Sequence, residues 1–170
     1  VAACGAMTAA SSIHINMFGP HPLVVFGSKA QKRKWLPRLA AGEDKVAFGV
    51  TEPNVGLDTT NITTFAEKVD GGYVVNGRKI WTSTAQVASR IMLLARTERR
   101  EDGAKPTAGM SIFYTAFDRD KIEVQVIEKM GRKAVDSSMV FFDNYFIPDE
   151  DLIGEAGKGF DYILHSMNPE

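Results

Sequence analysis

The chain has 170 residues, 44% hydrophobic and 24% charged, which is long and apolar enough to bury a core and excludes wholesale disorder. Its formal net charge of −1 gives no electrostatic footprint for nucleic acid or for an acidic membrane surface. Cys4 is the only cysteine, so no intrachain disulfide exists, a reducing compartment is compatible, and no stretch approaches the apolar length of a spanning helix.

In chain order, residues 2–17 are rich in Ala, Met and Ile and predict a helix, which Gly19-Pro20 and Pro22 break. Leu23 to Phe26 predict a further short turn. Ser28-Lys29-Ala30-Gln31 fits a capping box, in which a hydroxyl and a side-chain amide each satisfy a free backbone group. The helix that follows carries Trp35, Leu36 and Leu39, and Gly42 can end it. Pro37 lies inside this pattern and predicts a kink or a fresh turn. The basic run Lys32-Arg33-Lys34 reads as a solvated helix face.

From Val46 the pattern changes to strands. Val46 to Val50 predicts a short buried strand that opens through Thr51-Glu52-Pro53 into a turn at Asn54, Gly56 and Asp58. Ile62 to Val69 and Tyr73 to Val75 flank Asp70-Gly71-Gly72, a hairpin signal, and Asn76-Gly77 predicts another turn. Arg90 to Thr97 is apolar on both faces, as a central strand would be, and Glu98 to Thr107 reads as an exposed loop. Met110 to Thr115, Ile122 to Ile127 and Ser138 to Phe142 are further strands, and Gly159 to Met167 begins a helix. Short strands at this spacing favour a sandwich or barrel over a parallel sheet.

Two stretches carry candidate chemistry. A strand end that opens into a loop is a common place for binding residues, and Thr51, Asp58, Thr59 and Thr60 put hydroxyls and a carboxylate at this mouth. The second stretch, Asn76-Gly-Arg-Lys-Ile-Trp-Thr-Ser83, ends in an aromatic and hydroxyls, and strand alternation points Trp81 and Ser83 the same way. Other chemistry is weak. His14, His21 and His165 lack ligand spacing, and Cys4 has no nucleophile signature. Gly154, Gly157, Lys158 and Gly159 fit neither a P-loop nor a dinucleotide fingerprint.

Taken together, these two stretches resemble the middle domain of acyl-CoA dehydrogenases, which are FAD enzymes. A third match runs through Met130-Gly131, Phe141-Phe142-Asp143, Ile147-Pro148, Leu152-Ile153-Gly154 and Gly157-Lys158-Gly159-Phe160. The resemblance implies an α+β chain, mainly antiparallel β: a middle-domain β-barrel or sandwich flanked by helical remnants. It implies the end of an N-terminal helical domain over residues 1–44, the middle domain over 45–154, and the start of a C-terminal helical domain over 155–170. The chain starts at Val1 and stops at Glu170, and is read as a fragment of a longer protein.

The resemblance also implies a chemistry. A carboxylate base removes the α-proton of an acyl-CoA thioester, the β-hydrogen leaves as hydride to the flavin, and electrons pass to an electron-transferring flavoprotein. The implied cofactor-binding residues are Phe48, Val50, Thr51, Gly56, Leu57, Trp81, Thr82 and Ser83. Trp81 would pack on the flavin, Ser83 would reach its N5 region and Thr51 its pyrimidine edge. Leu57 and Asn168 are the implied substrate contacts. Leu57 stands where the family often has a Ser, so only a backbone donor remains there. In the family the base is a Glu of the C-terminal domain; no residue here matches it, and no metal is implied. The family forms homo-oligomers; it would place the protein in the mitochondrial matrix of a eukaryote or the cytoplasm of a bacterium. Two other classes compete: an acyl-CoA oxidase or related flavin monooxygenase, and a non-enzymatic β-domain module.

Overall fold

The structure is a computed structural model that describes residues 2–5, 7–131 and 135–167. Helices α1 (Met7–Phe18), α2 (His21–Phe26) and α3 (Lys29–Ala40) precede a sheet of seven strands. These are β1 (Val46–Gly49), β2 (Phe65–Val69), β3 (Gly72–Thr82), β4 (Arg90–Arg96), β5 (Met110–Ala116), β6 (Glu123–Val126) and β7 (Ser138–Pro148). Helix α4 (Gly159–Met167) closes the described chain. The strands run in the order β1-β4-β2-β3-β7-β6, with β5 paired to β4, and curl into a half-barrel. The expected α+β fold, mainly antiparallel, is therefore present.

Strand β4 explains the layering. Ile91, Leu93 and Ala95 on one face join Val75, Phe113, Val140 and Phe142 inside the curl. Met92 and Leu94 on the other face join Leu23, Trp35, Ile112 and Ile163 under the helices. The strand is buried on both sides, so its sequence is a continuous apolar run rather than an alternation. Helix α4 approaches β5 so closely that a Cβ on Gly159 would lie 2.5 Å from the Ser111 carbonyl carbon.

The local signals hold. Ser28 and Gln31 form the reciprocal capping box at the start of α3. Val69 pairs with Gly72, so β2 and β3 form the expected hairpin. Three expectations need correction, and the sheet adds a detail to a fourth. The N-terminal helix is divided into a 3-10 turn at Ala2–Cys4 and α1, separated by a turn at Gly5. Pro37 causes no fresh turn: α3 runs through it to Ala40, and Arg38 beyond it is tied to Asp44 by two hydrogen bonds. The sheet is mixed, because β1 pairs with β4 in parallel and Phe65 of β2 bridges Arg96 the same way.

Asn76-Gly77 is the third correction. It is not a turn but a register shift inside β3, where Val75 opposes Tyr145 and Gly77 opposes Phe142. The Asn76 side chain accepts a hydrogen bond from the Asn144 backbone N–H at 2.9 Å and so fills the gap left by the shift. Gly77 has φ 147°, and a Cβ there would lie 2.6 Å from Thr64 Cα. The glycine is needed for close backbone approach. Gly77→Ala is therefore expected to destabilise the fold by more than about 1 kcal/mol, measured by urea denaturation.

Candidate functional site

The site is assembled at the end of β3, where two sequence-distant stretches meet. The Ile80 backbone N–H donates to the Thr51 carbonyl at 2.9 Å, which sets the Thr51-Glu52-Pro53 exit beside the Trp81-Thr82-Ser83 end of the strand. One residue earlier, Lys79 sends its ammonium into the protein. It donates to the Val50 carbonyl at 3.1 Å and to Glu52 Oε1 at 2.9 Å. Both side chains are essentially inaccessible, at 0% and 3% exposure. Glu52 also accepts from Thr63 N–H, Thr63 Oγ1 and Thr64 N–H, so its carboxylate is fully engaged.

Burial works against the Glu52 charge, but the Lys79 charge and the bonds from Thr64, Lys79 and Thr63 outweigh it and hold the carboxyl down at about 2. Burial lowers Lys79 to about 8 against the pull of Glu52, so the pair is ionised at neutral pH. Sequence reading passed over both residues as functional elements. A signal was present: Lys79 is in phase with the buried Tyr73 and Val75, and a buried lysine requires a carboxylate partner.

The loop beyond Glu52 is open. Gly56 is exposed and Leu57 fully so, at 107%. Asp58 faces its own loop, accepting from Thr60 N–H, Thr60 Oγ1 and Asn61 Nδ2, and thereby caps the 3-10 turn Thr59–Asn61. These bonds, those from Thr60 foremost, hold its carboxyl below the usual range.

Trp81 is 56% exposed and sits at φ 60°, with a register shift between Lys79 and Thr82. The simple alternation expected for Trp81 and Ser83 therefore does not apply: β3 ends at Thr82, and Ser83 lies in the following turn. Thr82 is 1% exposed and its Oγ1 has no hydrogen-bond partner. Ser83 and Thr51 are half-buried. The structure thus brings Thr51, Trp81, Thr82 and Ser83 to one edge, with Gly56 and Leu57 on the adjoining loop. Phe48 and Val50 behave differently. Phe48 packs edge-to-face on Phe18 of α1 at 4.9 Å, and Val50 is buried with Val55 and Ile62. Their side chains belong to the helix-facing core. Asn168 lies outside the described residues.

A cavity of about 790 Å³, lined by Trp35, Arg90, Thr115 and Asp151 among others, shares no residue with this edge. Among the described residues, no group of three or more His, Cys, Asp or Glu could hold a metal ion, and no helix is long and apolar enough to cross a membrane.

Comparison with known proteins gives two family matches: "Acyl-CoA dehydrogenase, middle domain" over residues 47–145 and "Acyl-CoA dehydrogenase, N-terminal domain" over residues 1–43. A mitochondrial isovaleryl-CoA dehydrogenase of Oryza sativa is 37% identical over 153 residues, covering 87% of this chain and 36% of that protein. Acyl-CoA dehydrogenase FadE26 of Mycobacterium tuberculosis is 31% identical over 156 residues, covering 92% of this chain and 38% of that protein. The solved glutaryl-coenzyme A dehydrogenase in complex with glutaryl-CoA superposes with TM-score 0.87 at 29% identity, over 96% of this chain and 41% of that one. The chain thus spans between about a quarter and two fifths of the length of the curated relatives it matches.

The Lys79–Glu52 pair gives a test of how the site is held. In Lys79→Met the Glu52 carboxylate stays buried without its counter-ion, and a loss of about 3–5 kcal/mol is expected at neutral pH. Adding Glu52→Leu should restore much of it. The Glu52 carboxyl is held below its ordinary value of 4.5, so its contribution is complete above that pH and is lost as pH falls towards 2. Urea denaturation across this range should show a larger acid-dependent loss in the wild type than in Glu52→Gln, which keeps only the contributions of carboxyls such as Asp44 and Asp58.

Proposed function

The chain belongs to the acyl-CoA dehydrogenase family, and from that membership we propose that the complete protein binds FAD and α,β-dehydrogenates an acyl-CoA thioester to a trans-2-enoyl-CoA. The observation that carries the reading is the Ile80 N–H to Thr51 carbonyl bond, which joins the two stretches expected to face a flavin.

The residues at this edge suit an isoalloxazine. That ring needs an aromatic or apolar wall and donors along its polar rim. Trp81 offers a half-exposed indole face, and Thr51 and Ser83 offer hydroxyls within the same edge. The unpartnered Thr82 hydroxyl is a buried polar atom of the kind that calls for an explanation, and a ligand atom would supply one. When bound, FAD supplies the hydride acceptor.

In this reading Trp81 stacks on the cofactor, Ser83 and Thr51 fix its polar rim, and Gly56 and Leu57 line the approach of the thioester through backbone atoms. Phe48 and Val50 support the edge from beneath. Asn168 is kept as a candidate contact to the CoA portion. Glu52 is not the α-proton base. A carboxylate held at about 2 and already accepting four hydrogen bonds is too weak a base and has no free lone pair directed outward. In this reading the base is, as in the family, a Glu of the C-terminal helical domain, and the electron acceptor is an electron-transferring flavoprotein. The protein works as a homo-oligomer in the mitochondrial matrix of a eukaryote or the cytoplasm of a bacterium.

The test uses the full-length protein. It should purify with a flavin spectrum, and one chain length from an anaerobic panel of acyl-CoAs should bleach it. A flavin that is reduced and then rapidly reoxidised by air would replace the dehydrogenase with an oxidase. A protein that never takes up FAD would overturn the reading.

A further inference from the structure

The Trp81–Ser83 edge has no intrinsic reason to hold its shape. Trp81 and Thr84 both have positive φ, 60° and 68°, a conformation that non-glycine residues keep only when their surroundings impose it. The strand has ended and its register has already shifted. Backbone bonds from Val87 and Ala88 to the Thr84 carbonyl close the turn, and a carboxylate distant in sequence holds its N–H side. Asp136 accepts from the Thr84 backbone N–H at 2.9 Å through Oδ1, and from the Gln86 backbone N–H at 3.3 Å through Oδ2. The Ser138 hydroxyl donates to the same Oδ2 at 3.3 Å. Ser138 is itself the residue of β7 that pairs with Thr82.

Asp136 is held in turn. Lys129 Nζ donates to the Val135 carbonyl and to Ser137 Oγ, the residues on either side of it. A charged acceptor that takes two backbone N–H groups of one turn, here those of Thr84 and Gln86, is among the stronger hydrogen-bond arrangements, and it can fix a loop without touching what the loop binds. We propose that Asp136 is the positioning residue that presents Trp81, Thr82 and Ser83 to the flavin, with Lys129 as the brace that orients it. The inference rests on the FAD-binding reading above. Asp136 forms no part of the flavin edge itself, so it acts through the turn and not by contact.

The experiment titrates full-length apo-protein with FAD and compares wild type, Asp136→Asn and Asp136→Ala. It reads the dissociation constant, the visible spectrum of the bound flavin and its midpoint potential. Asp136→Ala should weaken FAD binding on the order of 10- to 100-fold and shift both spectrum and potential. Asp136→Asn keeps one acceptor oxygen for Thr84 N–H and should fall between. A purely structural role would lower thermal stability but leave the spectrum and potential of the loaded variants at wild-type values, and that result would overturn the proposal. If Asp136→Ala does not fold, Asp136→Asn decides alone: a spectrum, potential and affinity equal to wild type reject the proposal. Failure of the wild type to bind FAD rejects the functional reading instead, so the two are told apart.

Discussion

A lysine ammonium with no access to water must have a counter-charge, and that requirement organises the functional end of this molecule. Lys79 finds Glu52, and the two come from stretches that are also joined by the Ile80 N–H to Thr51 carbonyl bond and by the Lys79 bond to the Val50 carbonyl. Desolvating both charges is expensive, and an apolar pair of similar volume could fill the same space at less cost. The ion pair is therefore better understood as a device for register than for stability. It ties Lys79 of β3 to the Val50–Glu52 exit, next to the Ile80 N–H bond to the Thr51 carbonyl. Thr63 and Thr64 then complete the Glu52 shell and draw the chain that leads into β2 to the same point.

The rest of the fold makes that point rigid. The half-barrel has an inner apolar layer and an outer one shared with the helices, and β4 contributes to both. β1 lies parallel to β4 and delivers its last residues to the rim, where the loop to Asp58 begins. β3 and β7 carry the opposite side of the rim, and the turn that follows β3 is pinned by Asp136 from the segment before β7. Open loop on one side and pinned turn on the other give an edge that is accessible yet fixed, which is what a flat ligand with a polar rim requires.

How much of this was legible in the sequence follows from how far apart the interacting residues lie. The capping box of α3, the Asp70-Gly71 hairpin and the span of α4 depend on neighbours within a few residues, and each was readable. The double-sided burial of β4 was readable too, because it leaves a continuous apolar run. The parallel pairing of β1 with β4 was not, since nothing in either strand names its partner. Asn76-Gly77 has the composition of a turn, and only Asn144 and Thr64, met in three dimensions, make it a register shift. The packing of the Phe48 and Val50 side chains under the helices was not legible either, because Phe18 and the rest of that core lie far off in the sequence. Lys79 lay inside a recognised motif but had no role until its burial was known.

On the proposed reading, the buried Lys79–Glu52 pair sets the geometry of the edge formed by Thr51, Trp81, Thr82 and Ser83. The most direct measurement is the FAD affinity of the full-length apo-protein carrying Glu52→Leu together with Lys79→Met, once circular dichroism has shown that it is folded. If the pair sets the register, this folded variant binds FAD weakly, on the order of 10-fold or more below wild type. Wild-type affinity in the folded double variant would contradict the account, because the edge would then be positioned without the charges.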